Sequence, residues 1–145
     1  MSFNWEHYLS VAANLCETAS EQGCEEAWQR AAISRAYYAA FHKAEEHLRN
    51  VENDVKLKQR SLNKRACHKD VQAGKIHRYI IDQFRQNCDP KRLQLAANLE
   101  NLLDDRNEAD YDDRTSYQNT LASKTTEIVE TAKEIISSLP CIPKP

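Results

Sequence analysis

Apolar residues return every three or four positions along most of this chain, which is the repeat of helices that bury one face. Trp5, Tyr8, Leu9, Ala12, Leu15, Cys16 and Ala19 follow it, and Gly23 supplies a stop, so a first helix is predicted from about Trp5 to Gln22. A second is predicted from about Glu25 to Asn50, with Ile33, Tyr37, Phe41, Ala44 and Leu48 on one stripe and Ala27, Ala31, Ser34 and Tyr38 on its neighbour. A helix with two such faces belongs at the centre of a bundle. Residues 52–73 are polar and basic without clear period, as in a long connection or a partly ordered surface helix.

A third helix, about Lys75 to Asn87, turns Ile76, Ile80, Ile81 and Phe84 inward. Asp89 before Pro90 reads as an N-cap and first turn, opening a fourth helix with Leu93, Leu95, Leu99, Leu102 and Leu103. Thr115 with Gln118 has the spacing of a capping box, and Leu121, Thr125, Ile128, Ala132, Ile135 and Leu139 mark a last helix that ends at Pro140. The fold class predicted is all-α, an up-and-down bundle of four to five helices. Residues 1–140 form a single domain, and the tail 141–145 is expected to be disordered.

Composition supports that reading. The 145 residues suit one core, two glycines leave little chemistry for hairpins, and all four prolines fall from Pro90 onward. The start, MSFNWEHY, lacks the basic and apolar regions of a secretion signal, and no apolar run approaches membrane-spanning length, so a soluble cytoplasmic protein is expected. Five cysteines without a C-x-x-C pair indicate reduced, mostly packed thiols and no zinc knuckle.

The net charge of −2 hides an uneven distribution. Between Lys56 and Arg92 stand eleven Lys or Arg against three Asp, and the rest of the chain is acidic. Such a segment attracts phosphate backbones, docks an acidic partner, or simply forms a solvated face. Tyr79 and Phe84 are its only aromatic side chains, and Phe84 reads as core.

Two constellations carry candidate chemistry. On the fourth helix, steps from Leu95 to Leu99, Leu102, Arg106 and Ala109 put an arginine where a bundle would otherwise place leucine. Its charge needs a partner, and Asp104, Asp105, Glu108, Asp110, Asp112 and Asp113 lie close in sequence. The pattern fits first a salt bridge that closes the bundle, and after it a guanidinium that grips two phosphate oxygens. On the second helix, Ser34, Tyr38, His42 and Glu45 share one side, where Tyr38 and His42 can hold a substrate oxygen with His42 as base. Arg35 is a second cation for such a site, and His77 is a weaker histidine candidate. No Walker loop, dinucleotide turn, H-E-x-x-H or paired E-x-x-H motif is present, so no metal or cofactor is expected.

The segments AISRAYYAAFHKAEEHL, KIHRYIIDQF and LENLLDDRNEADYDD, in this order, resemble small stand-alone HEPN proteins over most of the chain. The resemblance implies a helical bundle that usually dimerises, often encoded beside a minimal nucleotidyltransferase in prokaryotic toxin–antitoxin or defence loci. Many HEPN proteins are metal-independent endoribonucleases whose arginine, often followed by asparagine, precedes a histidine four to six residues on. Arg106 and Asn107 match the first half, while Asp110, Tyr111 and Asp112 stand where that histidine would be.

The expectation is therefore a protein that binds RNA, a nucleotide or a nucleotidyltransferase partner, with weak or no nuclease activity. The alternative is an endoribonuclease using Arg106 and Asn107 with His42 or Tyr111. Tyr111 is also a hydroxyl acceptor for nucleotide transfer by the partner. Arg35, Tyr38, Lys64, Arg65 and Arg78 are the candidate RNA- or nucleotide-binding residues.

Overall fold

Helix α2, Glu25–Asn50, is the hub on which the other long helices pack. The computed structural model describes residues 3–21, 23–62 and 75–145, without the side chains of residues 60–62, 115 and 116. Before the hub runs α1, Glu6–Thr18, continued by a 3-10 turn to Glu21; after it come α3, Val55–Leu62, and α4, Ile76–Arg85. Then follow α5, Pro90–Tyr111, the single turn α6, Thr115–Gln118, and α7, Leu121–Ser138. The described residues are helical without strands, an all-α bundle as the periodicity predicts. Among them no helix is long and apolar enough to cross a membrane.

The predicted inward lines are largely those observed. Ile33, Tyr37, Phe41, Ala44 and Leu48 of α2, all four inward residues of α4, Leu121, Ile128, Ala132 and Ile135 of α7, and Leu139 just after it are buried in one core. Asp89 caps α5 through Oδ1, which accepts from the backbone of Lys91 at 2.9 Å and of Arg92 at 3.2 Å. The second stripe of α2 is corrected. Ala27 and Ala31 are exposed, and Ala32, Ala36, Ala39 and Ala40 are buried instead. Short side chains there let neighbouring helices approach the hub closely.

Three further expectations change. Thr115 is the first residue of its own helical turn, whose N-cap is Arg114 without a side-chain cap, so α7 begins only at Leu121. Cys24, Cys88 and Cys141 are exposed and not packed. The tail is not loose. Ile142 is buried in the core, and the Pro143 carbonyl accepts from Arg92 Nη1 at 2.9 Å.

Arg92 accounts for that anchoring. Its side chain is 1% exposed and forms a short ion pair with Glu52, while Nη2 donates to the Gln83 carbonyl at 2.9 Å. One guanidinium thus ties α5 to the α2–α3 connection, to the end of α4 and to the tail.

His47 lies beside this cluster with its Nε2 buried and, among the described residues, without a hydrogen-bond partner. Burial, and secondarily the charges of Arg92 and Lys144, holds its pKa below the ordinary histidine value, against the opposing pull of Glu52. The unfolded chain therefore binds the proton more readily than the fold does. The His47 contribution to stability is complete above about pH 6.5 and is lost as pH falls toward the depressed folded value. Urea midpoints should drop between pH 7 and 5 more steeply in the wild type than in His47→Gln. Equal slopes would refute the assignment.

Candidate functional site

Arg106 sits on the buried line of α5, near its C-terminal end, with its side chain 20% exposed. Its Nη2 donates to the Tyr38 hydroxyl on α2 at 2.9 Å, and its guanidinium carbon lies 5.3 Å from the centre of that ring. Asp110, one turn further along α5, brings Oδ2 to 2.9 Å from Nε. This is charge pairing without hydrogen-bond alignment, since Nε has no hydrogen-bond partner among the described residues. Nη1 donates to Asn107 Oδ1 at 3.2 Å.

Of the six acids near Arg106 in sequence, Asp110 thus supplies its ion pair, and it does so within one helix. Glu108 pairs with Lys124 and Asp112 with Arg114. The link between helices is the neutral hydroxyl of Tyr38. Arg30 of α2 steadies the same helix end, donating to the Ala109 carbonyl at 2.7 Å and so satisfying one of the acceptors that a helix leaves unpaired at its last turn.

The polar seam on α2 is present from Tyr38 to Glu45. Tyr38 and His42 stack with centroids 5.9 Å apart, and Trp5 lies against His42 at 3.6 Å and 17°. Glu45 Oε2 stands 3.2 Å from His42 Nδ1. A carboxylate only accepts, so Nδ1 carries the proton of the neutral ring and Nε2 its lone pair. Trp5, His42, Tyr38 and Arg106 therefore form a continuous row of planar groups from the N-cap of α1 across α2 to α5.

His77 of α4 packs against Tyr37, Tyr38 and Phe41 of α2. Its Nδ1 and the Tyr37 hydroxyl share a short hydrogen bond, and its ring lies 4.4 Å from Phe41 and 6.4 Å from Tyr38. Tyr37 is almost fully buried, and that burial raises the pKa of its hydroxyl, helped by Tyr38 and opposed by the charge of Arg106.

The remaining candidates lie elsewhere. Tyr111 is 79% exposed, and no bond or ring contact ties it to the Arg106 cluster among the described residues. Arg35 rests over the Tyr8 ring at 4.8 Å. Arg78 donates to Glu100 Oε1 at 2.6 Å, and the same carboxylate pairs with Arg85. Lys64 and Arg65 lie outside the described residues. Tyr79 donates to Asp54 at 2.8 Å. Three of the basic residues between Lys56 and Arg92 are thus neutralised by carboxylates, which reduces the field that a count of charges implies. Trp5 and Glu52 are partners that the sequence pattern alone does not reveal. Among the described residues no group of three or more His, Cys, Asp and Glu side chains is placed to hold a metal ion.

No family model, curated protein or solved structure matches this chain.

Proposed function

We propose that the Tyr38–Arg106 centre binds a phosphate group of RNA or of a nucleotide, in a HEPN-type protein that acts as a dimer or with a nucleotidyltransferase partner and cuts RNA weakly or not at all. The observation that carries this reading is the state of Arg106. Its guanidinium is partly exposed, oriented by the Tyr38 hydroxyl, and balanced, among the described residues, by a carboxylate of its own helix. A planar fork fixed in this way suits two oxygens of a phosphate. The Trp5, His42 and Tyr38 rings beside it offer surfaces of the kind on which bases stack.

The second reading is a metal-independent endoribonuclease, and the His42–Glu45 contact favours it. A base whose orientation is set by a carboxylate is the arrangement that general-base catalysis requires. In that mechanism His42 Nε2 takes the proton of a ribose 2′-hydroxyl, and O2′ bonds to the adjacent phosphorus. The bond from phosphorus to O5′ breaks, Arg106 stabilises the charge that develops, and the departing oxygen takes a proton from water. The products are a 2′,3′-cyclic phosphate and a 5′-hydroxyl. The exposed Tyr111 has no place in that scheme.

End-labelled mixed RNA incubated in EDTA at low salt with the wild type, Arg106→Ala and His42→Ala separates the readings. Retention of intact RNA that depends on Arg106 is the expected result. Cyclic-phosphate ends that vanish in both variants would establish the nuclease. An absence of RNA and nucleotide binding by folded protein, together with no binding of a nucleotidyltransferase, would defeat the proposal.

A further inference from the structure

Resting on the phosphate reading of the Arg106 centre, we propose that the face of His42 covered by Trp5 is a purine-base subsite, and that Trp5 is an intramolecular stand-in which a purine of the bound strand displaces. Arg106 and His42 neighbour the same Tyr38 ring, at 5.3 and 5.9 Å from its centre. A strand whose phosphate lies on Arg106 therefore carries a base within reach of His42. The Trp5 indole covers that imidazole with 3.6 Å between ring centres and 17° between planes. This is how a base stacks on an aromatic side chain, and an indole has the fused two-ring outline of a purine. A single-ring pyrimidine fills less of the same place.

The segment that carries Trp5 is built to come away. Asn4 Oδ1 accepts from the Glu6 backbone at 3.0 Å and so fixes the turn from which Trp5 projects onto α2. The other ties of this segment to α2 are superficial: the exposed Glu6 reaches Lys43 at 3.4 Å, and Arg35 rests over the Tyr8 ring at 4.8 Å. Contacts of this kind contribute little at a surface. Phe3 and Tyr8 meet the indole at steep angles, and Phe3 is itself 51% exposed. Among the described residues Ala12 is the first of α1 to be fully buried, with Leu9 packed partly against the core. The helix is thus anchored beyond its first turn, and residues 3–8 can lift without disturbing the core, which is the kind of local opening that helix ends undergo at low cost. One ring leaves His42 as another arrives, so the phosphate on Arg106 decides the exchange. Until then the strap keeps the imidazole covered and lowers the apparent affinity by the fraction of molecules in which it is open.

Fluorescence of Trp5 in a Trp28→Phe background, excited where nucleotides do not absorb, follows the strap during titration with a short oligoadenylate or oligouridylate at low salt. Oligoadenylate is expected to move the emission to the red as the indole enters water, and oligouridylate to move it less at equal occupancy. Trp5→Ala should bind oligoadenylate about three- to tenfold more tightly, the scale of one aromatic pair removed from competition. The fluorescence experiment does not depend on the folding of that variant. Weaker binding by folded Trp5→Ala would make the indole part of the platform and overturn the proposal. Emission that stays still, or moves equally with both strands, while Arg106-dependent binding proceeds would also overturn it and leave the phosphate reading intact. Strands that bind Arg106→Ala as well as the wild type, or that bind neither, would overturn the phosphate reading and this inference with it.

Discussion

Arg92→Met is expected to cost about 3–5 kcal/mol of folding stability, the range for removing one partner of a buried ion pair. A domain of ordinary stability, about 5–15 kcal/mol, would lose from about a fifth to all of its margin. Glu52 has 5% of its side chain exposed and pairs with Arg92, so the variant leaves a carboxylate in the interior without its cation. The Gln83 and Pro143 carbonyls lose their donor in the same step. Urea unfolding followed by circular dichroism measures the loss. The double variant Glu52→Leu/Arg92→Met should recover most of it, because the greater part of the penalty is the stranded charge and not the absent bond. A single variant that costs less than about 1 kcal/mol would show that water reaches Glu52 and that the pair behaves as a surface ion pair.

The same residue shows where sequence reading stops. Arg92 stands in the most basic stretch of the chain and looks like one more surface cation, yet it is buried against a glutamate forty positions away. Helices were legible because their signals are local: the period of leucines and isoleucines, Gly23 after α1, and Asp89 before Pro90 each act within a turn or two. The second face of α2 was misread because alanine packs inside and sits outside with little difference in pattern, so which alanine stripe is buried depends on the neighbouring helices. Glu100 shows the effect on charge. It neutralises Arg78 and Arg85 from another helix, and no count along the segment contains it.

The candidate site divides in the same way. Arg106 was visible because an arginine interrupts a leucine line, and the i, i+4 relation of Tyr38 and His42 was visible because they share a helix. The contacts that make these residues a centre join positions far apart: Arg106 with Tyr38 across 68 residues, and His77 with Tyr37 across 40. Helix packing sets these meetings. Periodicity places each residue on a face and leaves open which faces meet.

Arg106→Ala and Asp110→Asn should change RNA affinity in opposite directions. Removing the guanidinium deletes a charge-assisted contact worth about 1.5–3 kcal/mol, so fluorescence anisotropy with a labelled oligouridylate at low salt should show binding weaker by about tenfold to a hundredfold. Asp110→Asn keeps the shape of the neighbour but removes the negative charge 2.9 Å from Nε. A phosphate then meets an uncompensated cation whose Nη2 remains held by Tyr38. Affinity should rise about three- to tenfold, and should fall more steeply with added salt as screening removes the unmasked attraction. Because the carboxylate acts through the arginine, its replacement should have little effect in an Arg106→Ala background, which is the coupling a double-mutant cycle detects. Weaker binding by Asp110→Asn would mean that the carboxylate's main effect is to hold the guanidinium in place. An equal gain without Arg106 would locate the effect in the general acidity of the surface.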